Sequence, residues 1–172
     1  MTLELWDIYD EYRRPLGYTR ARGERLAKGE FHIDAHLCLF DSMDRMLIQE
    51  RQTSKLSFPG KWDLTAGGSV TAGETSRSAI ERELYEEMGL RVSLDRAIPP
   101  LTLNYSWGFD DIYVARTTAK LSDLRLQAEE VRSARLASLD EVLTLADCGL
   151  FVPHPPSLIR YLFDLGLGRC AH

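Results

Sequence analysis

The run Arg82-Glu83-Leu84-Tyr85-Glu86-Glu87 carries three carboxylates at relative positions 0, 3 and 4. On a helix those positions fall within one face of roughly 100° breadth, so the three acids share a small volume. Like charges that close repel and raise one another's pKa, and a hard cation taking oxygen ligands removes that cost. Mg²⁺ or Mn²⁺ suits such a donor set. The bland account of three helical glutamates is an ordinary solvated acidic face. Two neighbours argue against it: the pair Gly67-Gly68, which lets backbone approach closely just ahead of the helix, and Glu74, nine residues ahead of Glu83. A solvated face would also more usually carry lysines one turn on.

The elements that must position these acids can be read from periodicity. A helix is predicted from Glu74 to Met88, with Ile80, Leu84 and Met88 spaced by four on its apolar side and Gly89 as the C-cap. Upstream, Leu5 to Tyr9 and Leu16 to Thr19 flank the polar stretch Asp10 to Pro15 and suit a small hairpin, placed in an N-terminal extension of residues 1–30. His32 to Phe40 and Met46 to Gln49 read as strands that pair antiparallel across Asp41 to Arg45. Ser57 to Gly60 is a turn, and Lys61 to Thr65 a short extended piece leading into the glycine pair. Downstream, Arg91 to Leu94, Leu101 to Tyr105 and Ile112 to Thr118 read as strands, interrupted by Pro99-Pro100 and by a loop over Gly108 to Asp111. Val131 to Ala137 is a further strand. Ser138 precedes a helix from Leu139 to about Ala146, and Pro155-Pro156 precede one from Ser157 to about Leu165. Strands enclosing a few helices in this order predict an α/β fold with a mixed sheet covered by helices on both sides.

Composition bounds the rest. A chain of 172 residues with 44% hydrophobic content is expected to form one domain over 1–172. A net charge of -5 and a pI near 5.4 argue against nucleic acid as a bulk partner. Cys38, Cys148 and Cys170 lie far apart without CxxC spacing, so neither a disulfide framework nor a cysteine zinc site is indicated. The N-terminus carries Glu4, Asp7 and Asp10 where a secretory signal needs basic and then apolar residues, and no apolar run approaches membrane-spanning length. The expectation is a cytoplasmic protein with no membrane partner.

Taken together, Gly68, Glu74, Arg82, Glu83, Leu84, Glu86, Glu87, Gly89 and Leu90 spell a glycine, five residues, a glutamate, seven residues and then Arg-Glu-aliphatic-x-Glu-Glu-x-Gly-aliphatic. This resembles the Nudix hydrolase signature without departure. The resemblance implies an α/β/α sandwich with a mixed central sheet and a loop-helix-loop signature. It also implies Mg²⁺-dependent (or Mn²⁺-dependent) attack of water on a diphosphate joined to some group X. Glu83, Glu86 and Glu87 are then the implied metal ligands, with the Gly67 carbonyl as an addition, and Glu86 and Glu87 the catalytic pair. Gly68, Glu74 and Arg82 are implied as supports, the last two bracing the loop. Carboxylates suit that work, because bound metal neutralises diphosphate charge and lowers the pKa of a bound water.

A weaker likeness extends over most of the chain, to the Nudix branch that includes type I isopentenyl-diphosphate isomerase. It runs through Trp6-Asp7-Ile8-Tyr9-Asp10, Arg22-Gly23, Phe31-His32, Gln49-Glu50-Arg51 and Lys55 to Phe58-Pro59-Gly60-Lys61-Trp62, with Ala115-Arg116-Thr117-Thr118 and Glu129-Glu130-Val131 further on. By that likeness Arg51 and Lys55 face the substrate diphosphate, against the plain account of solvated turn charges. Isomerases of this kind place a Cys and a His just ahead of the signature, where this chain has Ala66 and Gly68. Of their two upstream histidines His32 matches one, and the other falls on Arg25. Isomerase chemistry is therefore disfavoured. His32 and His36 are read as structural residues of a buried strand, and His154 and His172 as belonging to no constellation.

Hydrolases of the family usually recruit one more carboxylate from a loop. Glu129 or Glu130 is proposed, with Glu130 carried as the catalytic candidate; Asp110 and Asp111 compete if their loop folds over the metal. Tyr105, Trp107 and Phe109 stand ready to stack on a base or pack an apolar X, or simply to fill the core. The leading reading is a metal-dependent hydrolase of a small diphosphate, a nucleoside di- or triphosphate or a nucleotide conjugate. The alternatives are an isopentenyl-diphosphate isomerase-like enzyme and a non-catalytic nucleotide-sensing module. A homodimer contact through the N-terminal hairpin or the C-terminal helix is left open.

Overall fold

A computed structural model describes residues 4–169; Cys170 and His172 lie outside the described residues. Strands β1 (Leu5–Tyr9) and β2 (Pro15–Ala21) pair antiparallel as a separate hairpin. The main sheet comprises β3 (His32–Phe40), β4 (Met46–Arg51), β5 (Trp62–Asp63), β6 (Ala66–Ser69), β7 (Leu101–Tyr105), β8 (Gly108–Arg116) and β9 (Val131–Ala137). Three helices cover it: α1 (Ser76–Met88), α2 (Leu139–Asp147) and α3 (Pro156–Gly166). Strands β3 and β8 run parallel along their whole length, while the other pairings are antiparallel, so the sheet is mixed.

Alternation along β3 divides the core into two layers. Ile33, Ala35, Leu37 and Leu39 pack with Ile80, Leu84 and Met88 of α1. Cys38 and Phe40 pack on the other face with Val142, Ile159, Leu162 and Phe163 of α2 and α3. The sandwich follows: α1, sheet, then α2 with α3. No helix among the described residues is long and apolar enough to cross a membrane.

One irregularity matters for function. Strands β3 and β4 pair only through Leu39–Phe40 and Met46–Leu47, then diverge. The freed edge of β3 is taken by β6, and β4 is flanked instead by β5 and β9. At the fork, the buried Thr65 hydroxyl donates to the Leu47 carbonyl at 2.5 Å and accepts from Leu39 N–H at 2.8 Å. It satisfies backbone groups that the split leaves without ladder partners. The sheet therefore opens between β6 and β4–β5.

Several sequence expectations are corrected. Helix α1 begins at Ser76, not Glu74, because the extended Thr75 caps it: its hydroxyl accepts from Ser78 N–H at 3.1 Å, and Ser78 Oγ lies 3.0 Å from Thr75 N–H. Glu74 belongs to the preceding turn. Gly89 ends the helix at φ 70° as expected. Residues 91–94 form no strand; Leu94 N–H donates to Glu81 at 2.6 Å, and Leu90 and Leu94 fold onto the core beside α1. Only Trp62–Asp63 of the expected extended piece at 61–65 joins the sheet as a strand. The expected loop at Gly108–Asp111 is the first half of β8, held between β3 and β7. The actual turn is Ser106-Trp107.

Candidate active site

The glycine pair on β6 serves two compartments at once. The Gly68 position faces α1, where an added Cβ would stand 2.4 Å from the Glu83 carboxyl carbon. The Gly67 position faces the other side, where a Cβ would stand 2.2 Å from His36 Cδ2. Only residues without side chains let Glu83 and His36 close on the strand from opposite sides. Val70 N–H bonds the Ile33 carbonyl at 2.9 Å, so the ladder alternation makes His36–Gly67 a non-hydrogen-bonded pair. The Gly67 carbonyl is thereby turned away from β3. The Ser69 carbonyl, in the same phase, lies 3.5 Å from Arg82 Nη2 on the α1 side.

Glu83, Glu86 and Glu87 share one face of α1. Glu83 and Glu86 both accept from Arg82 Nη1, at 2.8 and 3.1 Å. Glu87 is buried and accepts from Gln49 Nε2 at 3.0 Å. Arg82 also spans to Glu74, at 2.9 Å from both Nε and Nη2, and Glu74 in turn accepts from the Thr71 hydroxyl at 2.6 Å. These bonds hold the Glu74 carboxyl below its ordinary pKa. Burial raises the Glu83 pKa, and burial together with the Glu83 charge pushes Glu87 up to about 7.

Among the described residues no three Asp, Glu, His or Cys side chains are gathered closely enough to form a ready metal cage. Arg82 Nη1 stands between Glu83 and Glu86, and Gln49 engages Glu87. The donor set still fits a hard divalent ion: two carboxylates lifted in pKa by burial, a third beside them, and a carbonyl turned off its ladder nearby.

The opening of the sheet is a cavity of about 460 Å³. Arg51 and Lys55 line it, as does Arg22, a residue from the end of the hairpin that the sequence reading did not single out as a ligand. Arg51 donates to Asp63 at 3.0 Å and to the Ser57 carbonyl at 3.1 Å, so it is braced rather than free in a turn. Lys55 pairs with Glu130, and its pKa is lowered by burial and by the nearby Arg51 charge. Glu129 is exposed on the same segment.

Asp110 and Asp111 lie on β8 and cannot swing as a loop. Asp111 is buried and accepts from Arg13 Nη1 at 2.9 Å and from the Thr102 hydroxyl at 2.7 Å, which ties it to the hairpin tip and β7. Asp110 lies in the cavity, 2.7 Å from His36 Nδ1. Both assignments as a mobile base are therefore corrected: parallel pairing to β3 consumes the backbone, and fixed cations consume the charge.

His36 and His154 differ from expectation, whereas His32 is buried on β3 as expected. His36 lines the cavity, and although burial works to lower its pKa, the charge and hydrogen bond of Asp110 hold it up at about 10. His154 lines it too, with Nε2 3.6 Å from Asp63. Period-two alternation on β3 put Asp34 and His36 on one face, and that signal was available; the approach of His154 depends on a long-range bridge between Trp62 and Phe151 and was not. His32 is buried, stacked 4.1 Å from Trp6 and 5.3 Å from Trp107. Phe109 is buried beside Phe31, whereas Tyr105 and Trp107 line the cavity. At the isomerase positions, Ala66 is buried and Gly68 has no room for an imidazole while Glu83 stands.

A signature helix against a glycine strand, set in this sandwich, defines a class. Residues 30–156 match the NUDIX domain family, and the chain belongs to the Nudix hydrolases. It is 40% identical over 99% of both chains to an uncharacterized Nudix hydrolase of Listeria monocytogenes. It is 30% identical to an isopentenyl-diphosphate Delta-isomerase of Pectobacterium atrosepticum, over 78% of this chain and 76% of that one. A prenyl-diphosphate phosphatase of Methanosarcina mazei is also 30% identical, over 72% and 73%. In fold, the chain is similar to the crystal structure of DR0079 from Deinococcus radiodurans, with a TM-score of 0.75 over 92% of this chain and 99% of that one at 21% identity.

Proposed function

We propose that this Nudix hydrolase cleaves the diphosphate linkage of a nucleoside diphosphate-X compound, or of a nucleoside di- or triphosphate, with Mg²⁺ or Mn²⁺ held by Glu83, Glu86, Glu87 and the Gly67 carbonyl. The observation that carries this reading is the pair of mutually repelling carboxylates, the half-buried Glu83 closing on Gly68 of the glycine pair and the buried Glu87 beside it on the same helix face. When bound, the metal would neutralise phosphate charge and lower the pKa of a water.

The chain's own side chains account for the remaining tasks. Arg22, Arg51 and Lys55 present fixed positive charge where the cavity opens and take up the phosphate oxygens. Glu74, through Arg82, anchors the loop that sets Gly68 against Glu83. Glu130, tethered by Lys55, is the carboxylate placed to accept a proton from water once phosphate engages the lysine. The cavity beyond accommodates the group attached to the diphosphate.

A prenyl diphosphate is the second reading, favoured by the names of the Methanosarcina and Pectobacterium relatives. The assay that separates them measures release of phosphate or monophosphate from nucleoside diphosphates, nucleotide conjugates and isopentenyl diphosphate, with Mg²⁺ or Mn²⁺ present. Turnover of nucleotides that is lost in Glu86→Gln and Glu87→Gln proteins is the expected result. Full activity in both variants would remove the proposed site.

A further inference from the structure

The cavity at the fork has a divided lining. Arg22, Arg51 and Lys55 are cations of its lining, as is His36, which is paired to Asp110. Its other walls are an exposed aromatic pair, Tyr105 and Trp107, and the carboxylates Asp34, Asp63 and Asp110. The cations suit a diphosphate, but they do not explain the aromatics or the acids.

The aromatic wall is rigid. The rings of Tyr105 and Trp107 are nearly parallel, with centroids 5.1 Å apart, and the stack continues through His32 to the buried Trp6. Trp107 is thus oriented by its neighbours while 46% of its surface stays open. An aromatic face fixed before a ligand arrives loses little entropy on binding a planar group.

The acids beside it are short of donors. Asp63 is occupied by Arg51 and by the Leu64 N–H. Asp110 Oδ1 meets His36, and Asp34 Oδ1 accepts from the Ser69 hydroxyl at 2.8 Å. In both residues Oδ2 has no hydrogen bond among the described residues. His32 Nδ1, buried and without a partner among them, lies 3.6 Å from Asp34 Oδ1. Asp110 and Asp34 line the same cavity as Tyr105, and burial together with their charges raises the Tyr105 phenol. An isoprenoid tail would strip these acids of water and offer no donor in return.

We propose that this cavity selects the base of a nucleoside diphosphate: the open face of Tyr105 stacks on the ring with Trp107 behind it, and Asp110, with Asp34 beside it, accepts hydrogen bonds from its amino group. Amino-bearing cytosine and adenine are then preferred over their keto counterparts, uracil and hypoxanthine. A keto oxygen would set acceptor against acceptor, and a site built to pair an N–H rejects analogues that lack it. The inference rests on the nucleotide-hydrolase reading, and failure of one can be told from failure of the other.

The test compares kcat/KM of the full chain with Mn²⁺ for CDP against UDP and ADP against IDP, with isopentenyl diphosphate alongside. The expected result is a preference of about 10-fold or more for the amino member of each pair. Asp110→Asn, which replaces a carboxylate by a group that also donates, should collapse that ratio. Trp107→Ala should raise KM for amino and keto bases alike and leave the ratio in place. Equal or reversed preference overturns the inference while the hydrolase reading stands, as does a ratio that survives in Asp110→Asn. If no nucleotide is turned over, the hydrolase reading fails, and calorimetric titration with CDP and UDP decides selectivity alone: tighter CDP binding supports the pocket, and equal binding or none overturns it.

Discussion

At the scale of single residues, the site sets charge against charge in a confined volume. Replacing Glu87 by Gln removes a buried carboxylate without changing shape. We expect kcat to fall by about 10²- to 10³-fold, the scale of deleting one electrostatic group from a transition state, with an unchanged circular dichroism spectrum. His36 gives a second prediction. Its folded pKa of about 10 lies above its ordinary value, so its pairing with Asp110 contributes stability that is fully present below about pH 6.5 and is lost as pH rises through 10. Urea melts at pH 7 and pH 10 should show that loss, and Asp110→Asn should abolish it; an equal alkaline loss in that variant would contradict the assignment. The ligand candidates of α1 were legible because their spacing is local. The shared face of Asp34 and His36 was readable from alternation on β3, but their meeting with Asp110 was not, since it depends on the parallel register of β3 and β8.

At the scale of elements, the glycine strand and the capped helix act together. A methyl group at Gly68 would meet the flexible end of Glu83, so the fold can survive while the carboxylate is displaced. Gly68→Ala should therefore lose most activity with little change in Tm. Loss of Tm in step with activity would make the position structural only. Thr75→Ala removes the hydroxyl half of the cap at the helix start, leaving the bond from the residue 75 backbone N–H to Ser78 Oγ, and should cost about 1 kcal/mol of stability, read by urea denaturation. Strand and helix identities were largely readable, because β3, β7, β9 and α1 to α3 carry clear period-two or helical patterns and caps. The errors fall where a backbone partner is distant. Gly108–Asp111 looks like a polar loop until β3 and β7 close on it, and residues 91–94 look like a strand but find no ladder.

At the scale of the whole molecule, an ion pair adds to the backbone hydrogen bonds that join the N-terminal hairpin to the main sheet. Arg13, at the turn of β1 and β2, reaches the buried Asp111 of β8, and the same hairpin ends at Arg22 on the cavity. Arg13→Ala would leave Asp111 buried with only the hydroxyls of Thr102 and Ser76 beside it. We expect a loss of about 1–3 kcal/mol, reduced from a fully buried pair because Arg13 is partly exposed. Burial works to raise the Asp111 pKa, but Arg13 and Thr102 hold it low. That contribution is complete above an unfolded value of about 4 and lost as pH falls below it. Acid melts of the parent chain and Asp111→Asn should therefore converge at low pH.

The parallel ladder of β3 and β8 has a kinetic consequence as well. Its two strands are separated in the chain by the glycine strand, α1 and β7. On a ribosome the amino-terminal partner must therefore wait, with one long edge unsatisfied, until the other emerges. Such late, distant closure is slow and exposes sticky backbone meanwhile. Slow refolding and chaperone dependence during synthesis would follow from the same pairing that brings Asp110 to His36.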